Sequence, residues 1–309
     1  MIRNLGRTLV TGAHGFLGSA LVPHLRVMGV DVIASDMGDP ASPCDVTDAA
    51  QVNALCRDGG IATILHCGAV SGPMVMADRP LDIWRINAQG TAHVLEAARL
   101  YGVGRVVVCS TSEVYGATTG RVDETTLVQP RSVYAASKVA AEQAMLGYVG
   151  EHGLDACALR LSWIYGPGRR TPTRLETLLR AVAMGQPALL DADPEEMTHY
   201  LHIDDAVQAL VRAATVPSMK GQVFNITAGP GIPMRDVAAI VSGLRPDAQI
   251  AFAPSARVAA DGPSDMAHDR ATAVLGFQPK VPLAVGLSCL LATLAASAGN
   301  GPGGVVRRT

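Results

Sequence analysis

The stretch from Arg7 to Met28 constrains this chain most. A short apolar run, Arg7 to Val10, leads into Thr11-Gly12-Ala13-His14-Gly15-Phe16-Leu17-Gly18. Apolar residues then recur at helical spacing: Leu17, Ala20, Leu21, Leu25, Met28. Strand, glycine turn and helix in that order make a phosphate-binding unit. Glycines let backbone amides close on a pyrophosphate, and the helix N-terminus adds partial positive charge. A plain tight turn uses the same residues, but the position at the first strand–helix junction favours phosphate. Pro23 falls inside the helix and is expected to kink it or weaken one turn.

Asp31 to Asp36 reads as a second strand, and Asp36 lies 18 residues beyond Gly18. An acid there accepts hydrogen bonds from both hydroxyls of an adenosine ribose and repels a 2′-phosphate, so NAD is expected over NADP. A short strand is expected before Cys44-Asp45-Val46-Thr47-Asp48. Asp48 is placed to cap a helix, Ala49 to Arg57, and Asp45 and Val46 to meet an adenine ring. A fourth strand, Ile61 to His66, runs into Cys67-Gly68-Ala69-Val70-Ser71-Gly72, a loop small enough to pass under a dinucleotide. A long helix, Pro80 to Tyr101, holds Asn87 and Gly90 where helix propensity gives no reason for either. After a fifth strand, Arg105 to Cys109, comes Ser110-Thr111-Ser112-Glu113-Val114-Tyr115-Gly116, a polar cluster at the edge where open parallel sheets bind ligands.

Next comes Tyr134-Ala135-Ala136-Ser137-Lys138, in a helix of about Ser132 to His152. A spacing of four puts Tyr134 and Lys138 on one helix face. An ammonium beside a phenol favours the phenolate and pulls its pKa from ~10 toward neutrality. Such a tyrosine exchanges protons with a substrate hydroxyl or carbonyl. A sixth strand, Ala156 to Leu161, completes a strict alternation that means a doubly wound α/β sheet.

Beyond Tyr165 the alternation breaks. Thr171 to Gly185 reads as helix, His199 to Ile203 as strand, Ala206 to Ala214 as helix, and Gln222 to Thr227 as a strand with the option of returning to the main sheet. The expected division is a dinucleotide-binding domain over 1–165 with a returning segment at 200–227. A substrate lobe takes 166–199 and 228–298, and a disordered tail 299–309. Val281 to Ala298 carries no charge and approaches the length of a membrane span, but its prolines, glycines and hydroxyls suit a packed C-terminal helix.

Composition narrows the function. The net charge of −2, the lack of basic blocks and the 4% aromatic content exclude the footprint of a nucleic-acid binder. The six cysteines show no zinc spacing, so no metal is expected, and they suit reduced thiols in the cytoplasm. Met1 to Arg7 lacks the apolar core of a secretory signal.

Together these residues resemble the extended short-chain dehydrogenase/reductase family, also called NAD-dependent epimerase/dehydratases. The resemblance runs through Thr11-Gly12-x-x-Gly15-x-x-Gly18, Asp36, Asp45-Val46, Asn87, Gly90-Thr91 and Ser110 to Gly116. It continues through Tyr134-x-x-x-Lys138, Arg160, Tyr165-Gly166-Pro167, His202-Ile203-Asp204-Asp205 and Leu275-Gly276-Phe277-x-Pro279. It implies a Rossmann-type parallel sheet with a smaller C-terminal α/β substrate lobe, and a homodimer through the helices at Pro80–Tyr101 and Ser132–His152. It also implies that Tyr134 is the general acid/base, that Lys138 lowers its pKa and holds the nicotinamide ribose, and that Thr111 bonds the reacting oxygen.

The expected cofactor contacts begin with Gly12, His14, Gly15, Phe16, Leu17 and Gly18. Asp36, Asp45, Val46, Cys67, Gly68, Ala69 and Asn87 follow. Later in the chain come Cys109, Ser110, Tyr134, Lys138, Leu161, Trp163 and Ile164. Expected substrate contacts are Ser71, Gly72, Thr111, Ser112, Trp163 and Arg174.

Glu113 stands where dehydratases and decarboxylases of the family carry a second acid, and it reads either as that acid or as a carboxylate ordering the loop. Dehydratases usually place Asp where this chain has Ser112, which argues against dehydration. Nucleotide-sugar members commonly have Asn at the place of Trp163 and Arg just before the strand holding His202, where this chain has Glu195-Glu196-Met197-Thr198. A diphosphate needs cations and donors, and glutamates repel it. The favoured reading is therefore an NAD-dependent oxidoreductase taking hydride from a small free carbohydrate, sugar acid or hydroxy acid, with Arg169, Arg170 and Arg174 available for a carboxylate. The alternative is a nucleotide-sugar epimerase or decarboxylase that keeps NAD bound.

Overall fold

The computed structural model describes residues 3–253 and 262–299. Its central sheet has six parallel strands: β1 (Thr8–Thr11), β2 (Val32–Ser35), β3 (Thr63–His66), β4 (Arg105–Thr111), β5 (Ala156–Leu161) and β6 (Gln222–Ile226). Their spatial order is β6-β5-β4-β3-β1-β2. Strands β1, β3, β4 and β5 are buried along their whole length, so their sequences do not alternate. β6 pairs with β5 from Gln222 opposite Cys157 to Ile226 opposite Leu161.

The helices are α1 (Phe16–Val27), α2 (Ala49–Gly59), α3 (Pro80–Trp84), α4 (Gly90–Leu100), α5 (Val133–His152), α6 (Arg174–Ala183), α7 (Ile203–Thr215), α8 (Met234–Leu244) and α9 (Leu283–Gly299). One face of the sheet is covered by α1 and α7, where Leu21 and Leu25 share a core with Ala206 and Leu210. The other is covered by α2, α4 and α5, through Val52, Val94, Leu95 and Met145. This is a Rossmann-type doubly wound fold. α1 runs unbroken through Pro23, and Asp48 caps α2 by accepting from the Ala50 and Gln51 amides.

Two local expectations fail for physical reasons. The strand expected before Cys44 is reduced to a single parallel bridge between Asp36 and Pro43. Pro40 and Pro43 lack amide donors, and the Asp39 carboxylate takes the Ala41 and Ser42 amides at 2.7 and 2.8 Å. The long helix at 80–101 is also not uniform. A π-turn, Arg85–Gln89, separates α3 from α4 and carries the buried Asn87. Gly90 follows because a Cβ there would lie 2.7 Å from Cγ2 of Val46, so the loop after β2 packs directly on the helix.

A second core lies beside the sheet. Leu178 and Leu179 of α6, Val237 and Val241 of α8, and Leu287 and Leu290 of α9 share this core with Tyr165, each leucine contributing about 1.5–3 kcal/mol by burial. The Asp205 carboxylate accepts from the Lys280 and Val281 amides at 2.8 and 3.2 Å and so fixes the chain entering α9. Gly286 lets α9 press on Tyr165, since a Cβ there would overlap the phenol oxygen. Among the described residues no helix is long and apolar enough to cross a membrane. The tail expected over 299–309 lies outside the described residues from 300 onward.

Candidate active site

The site begins where the sheet order reverses. β2 lies on one side of β1 and β3 on the other, so the loops leaving β1 and β3 part and open a crevice. Gly12 leaves β1 with φ +65°, and a Cβ on it would stand 2.6 Å from the backbone of Gly68, which leaves β3. In the first turn of α1, a Cβ on Gly18 would overlap the Gly12 carbonyl oxygen. Both positions need glycine for space, and Gly12 needs it for backbone freedom as well. The result is a cradle of bare backbone at a helix N-terminus, which fits a pyrophosphate.

A cleft of about 460 Å³ runs from this cradle along the strand ends. Gly12, Gly15, Phe16, Leu17 and Gly18 line it, as do Asp36, Asp45 and Val46. So do Cys67, Gly68, Ala69, Ser71 and Gly72 from the loop after β3. Cys109, Ser110, Thr111, Ser112 and Glu113 line it from β4 and the following turn, and Leu161, Trp163 and Ile164 from beyond β5. Tyr134 and Lys138 enter from α5.

Two expected cofactor contacts lie outside the lining of this cleft. The His14 side chain is half exposed and meets Asp39 at 3.0 Å, while its backbone amide donates to Asp36 at 2.9 Å and orients that carboxylate. Asn87 is turned inward by the π-turn. Its amide nitrogen donates to Ser137 Oγ at 3.0 Å and its oxygen accepts from the Val70 amide at 2.8 Å, which ties the loop over the cleft to the tyrosine helix. Arg174, expected at the substrate, lines a second cavity.

Tyr134 and Lys138 are both buried. Lys138 Nζ donates to the Cys109 carbonyl at 3.0 Å, across to β4. Burial lowers the Lys138 pKa from its usual value, and it raises that of the Tyr134 phenol, with Glu113 adding to the rise. The partners that favour the phenolate are the Thr111 side chain and the Gly72 backbone. Desolvation is the largest of these influences on the phenol, and it favours the protonated form. Thr111 Oγ1 accepts from the Glu113 amide at 3.3 Å and so caps the turn Ser112–Tyr115.

A buried network fixes this geometry from below. Ser110 Oγ donates to Glu142 at 2.5 Å, and Arg160 donates to both Glu142 oxygens and, at 2.8 Å, to the Tyr115 hydroxyl. Glu142 sits two turns beyond Tyr134 on α5, so the network locks the tyrosine helix to β4 and β5.

The second cavity, about 590 Å³, meets the cleft at Ser112, Trp163 and Ile164. Its walls mix apolar groups, such as Met74, Met197, Met234 and Pro263, with polar ones, such as Thr173, Thr198 and His199. Arg174 is the lysine or arginine among its described lining residues, and its guanidinium is held by Glu196 at 2.5 Å. Arg169 lies over the Phe16 ring at 5.2 Å and lines the dinucleotide cleft, whereas Arg170 is exposed and lines neither space. The three arginines therefore do not converge.

Sequence reasoning missed Ser162, Met37 and Ile86 in the cleft and most of the second cavity's lining. Ser162 had a signal, since it sits between Leu161 and Trp163 at a strand end. The methionines had none, because each reads as ordinary core.

Comparison with known proteins then fixes the family. The model of the NAD dependent epimerase/dehydratase family matches residues 8–227. The chain is 32% identical over 306 residues to a UDP-glucose 4-epimerase of Mycolicibacterium smegmatis, covering 91% of this chain and 96% of that protein. It is 30% identical over 313 residues to a dTDP-glucose 4,6-dehydratase of Streptomyces griseus, covering 92% of each. The solved structure of MoeE5 in complex with UDP-glucuronic acid and NAD superposes with a TM-score of 0.86 at 32% identity, covering 94% of this chain and all of that one. With the glycine cradle, the Tyr134–Lys138 pair and these matches in agreement, the chain belongs to the NAD dependent epimerase/dehydratase family.

Proposed function

We propose that this chain is an NAD-dependent enzyme of the epimerase or decarboxylase kind, acting on a nucleotide-linked sugar. It oxidises one ring carbinol to a ketone, and the reduced cofactor is reoxidised within the same turnover. This replaces the free-sugar dehydrogenase favoured by sequence reasoning, and its support is that the UDP-glucose 4-epimerase, the dTDP-glucose 4,6-dehydratase and the MoeE5 complex named above all concern nucleotide sugars. The observation that carries the reading is the size of the second cavity. A free hexose has about twelve heavy atoms, and even at water's ~30 Å³ apiece it fills no more than roughly 360 Å³. The cavity holds about 590 Å³ and opens onto Thr111 and Tyr134 through Ser112 and Trp163, which suits a sugar with a large substituent behind it.

NAD, when bound, supplies the carbon that takes up and returns hydride. The Gly12–Gly18 cradle is the seat for its pyrophosphate, and Asp36 the acceptor for its adenosine ribose hydroxyls. The Tyr134 hydroxyl exchanges the carbinol proton, and Thr111 orients the same oxygen. Lys138, anchored on the Cys109 carbonyl, is within the cleft to bind the other ribose. Ser112 supplies no second acid, which separates this chain from dehydration. A homodimer through α3, α4 and α5 belongs to this reading, supported by exposed Leu81, Trp84, Val133 and Leu146 on α3 and α5.

The test incubates purified protein with NAD and either UDP-glucose or UDP-glucuronic acid, following the sugar by NMR and the cofactor by absorbance. The expected result is turnover of a nucleotide sugar with no net build-up of reduced cofactor. Inertness toward both, with reduced cofactor accumulating on free sugar acids, would sink the proposal. That outcome belongs to a second reading, a dehydrogenase of free sugar acids. It is favoured by one observation: Arg174, which a diphosphate needs, is already engaged by Glu196.

A further inference from the structure

The mechanism leaves two nucleophiles in the dinucleotide cleft unused. Cys67 follows β3 and Cys109 lies in β4. His66 pairs with Val108 in parallel register, so Cys67 and Cys109 are the next residues across the same two strands. Neighbouring strands run about 4.8 Å apart, inside the Cα range a disulfide spans. The two sulfurs lie 3.8 Å apart in mutual hydrogen-bond contact, and both line the cleft. Cys67 is partly exposed there, while Cys109 is 8% exposed.

We propose that Cys67 and Cys109 are an oxidation site that closes to a disulfide when hydrogen peroxide enters the empty cleft, and that bound dinucleotide shields it. The chemistry balances. The Cys109 thiolate takes one oxygen from peroxide, giving a sulfenic acid and hydroxide. The Cys67 sulfur then attacks the sulfenic sulfur, forming the S–S bond and releasing water. The two thiols together lose two electrons and two protons, and the peroxide is reduced to the oxidation level of water. The surroundings favour the first step at Cys109. The hydrogen bond shared by the two thiols, and then the Lys138 ammonium, hold the Cys109 thiol below its usual range against the opposing effect of burial.

This goes beyond the proposed sugar chemistry and does not depend on it. Purified full-length protein is treated with hydrogen peroxide, with and without NAD, and read by intact mass and peptide mapping. The expected product is a Cys67–Cys109 crosslink, marked by the loss of two hydrogens and reversed by dithiothreitol. NAD at about ten times its Kd slows its formation about tenfold, since only the free cleft reacts. The crosslinked protein binds NAD more weakly than the same sample after reduction. Cys67→Ala and Cys109→Ala each lose the crosslink. C67A carries the sulfenic acid at Cys109 trapped by dimedone, a readout that needs no enzymatic activity. Oxidation that stops at sulfinic acids in the wild-type chain, or a crosslink forming equally fast under saturating NAD, overturns the proposal.

Discussion

The two halves of the site are built on opposite principles. The phosphate cradle of the dinucleotide cleft is made of backbone: Gly12 and Gly18 are bare because any Cβ there meets main-chain atoms, and Asp36 beside it is held by the His14 amide. The second cavity is made of side chains drawn from separate segments, with flexible methionines and one arginine–glutamate pair. A wall of backbone cannot be retuned by substitution, so it serves the ligand a whole family shares. A wall of side chains changes freely, so it sets what is particular to this chain. The cofactor can therefore be read across from relatives, but the substrate must be argued from this cavity itself.

The largest expected effect separates chemistry from both walls. Tyr134→Phe should lower kcat by about 10²–10⁴ while leaving NAD affinity within a few-fold, because the substitution removes the proton-moving hydroxyl and keeps the ring that lines the cleft. Unchanged turnover would remove Tyr134 from the mechanism. Next comes acid. His66, under the cleft, bonds Thr11 and Thr91 at 2.7 and 3.1 Å, and burial, then Lys138, push its pKa down to about 3 from 6.5. Its folded pKa is depressed, so the unfolded chain takes the proton first. The stability it confers is present above pH 6.5 and is lost toward pH 3, at roughly 1.4 kcal/mol per pH unit. Urea midpoints of the wild type and His66→Gln across that window should show the shallower slope in the variant, and parallel slopes would contradict this assignment.

A smaller effect, about 1–3 kcal/mol from overpacking, sharpens the contrast between backbone and side-chain walls. Gly18→Ala drives a Cβ into the Gly12 carbonyl, which cannot yield without opening the cradle. Gly286→Ala drives one into the Tyr165 hydroxyl, the end of a side chain in the lobe core. Calorimetric titration with NAD should show G18A losing affinity and G286A retaining it, while both melt earlier. Equal NAD affinity in the two variants would mean that the cradle is less rigid than its packing indicates.

What sequence revealed follows the same division. The glycine turn, Asp36 and the Tyr134–Lys138 spacing were legible because each is a local pattern with a local cause. The segment at 37–43 was not, because Asp39 satisfies backbone amides that a strand would otherwise pair. The π-turn was hidden too, although Asn87 and Gly90 marked it as odd: the reason for each lies across space, at Val70, Ser137 and Val46. The carbonyl that anchors Lys138 was hidden for the same cause. Helical spacing brings it to the face of Tyr134, but the carbonyl that holds it belongs to β4. Residues such as Met74, Met197 and Met234 meet only when the lobe folds over the sheet edge, so no window of sequence displays them together.

The smallest expected effect is the one that divides the two substrate readings. Arg174 is about a third exposed and Glu196 mostly buried, and the pair sits on the wall of the second cavity. Glu196→Gln removes the negative charge and leaves a side chain of the same shape, so the Arg174 guanidinium becomes free to meet an incoming anion. If a diphosphate occupies this cavity, the variant should bind UDP more tightly, by no more than about tenfold because the arginine is partly in water. If instead the carboxylate of Glu196, steadied by Arg174, accepts the hydroxyls of a free sugar, the variant should bind UDP no better and raise KM for that sugar by a similar factor. Titration of UDP against both proteins decides it, since the two readings predict opposite consequences of removing one charge.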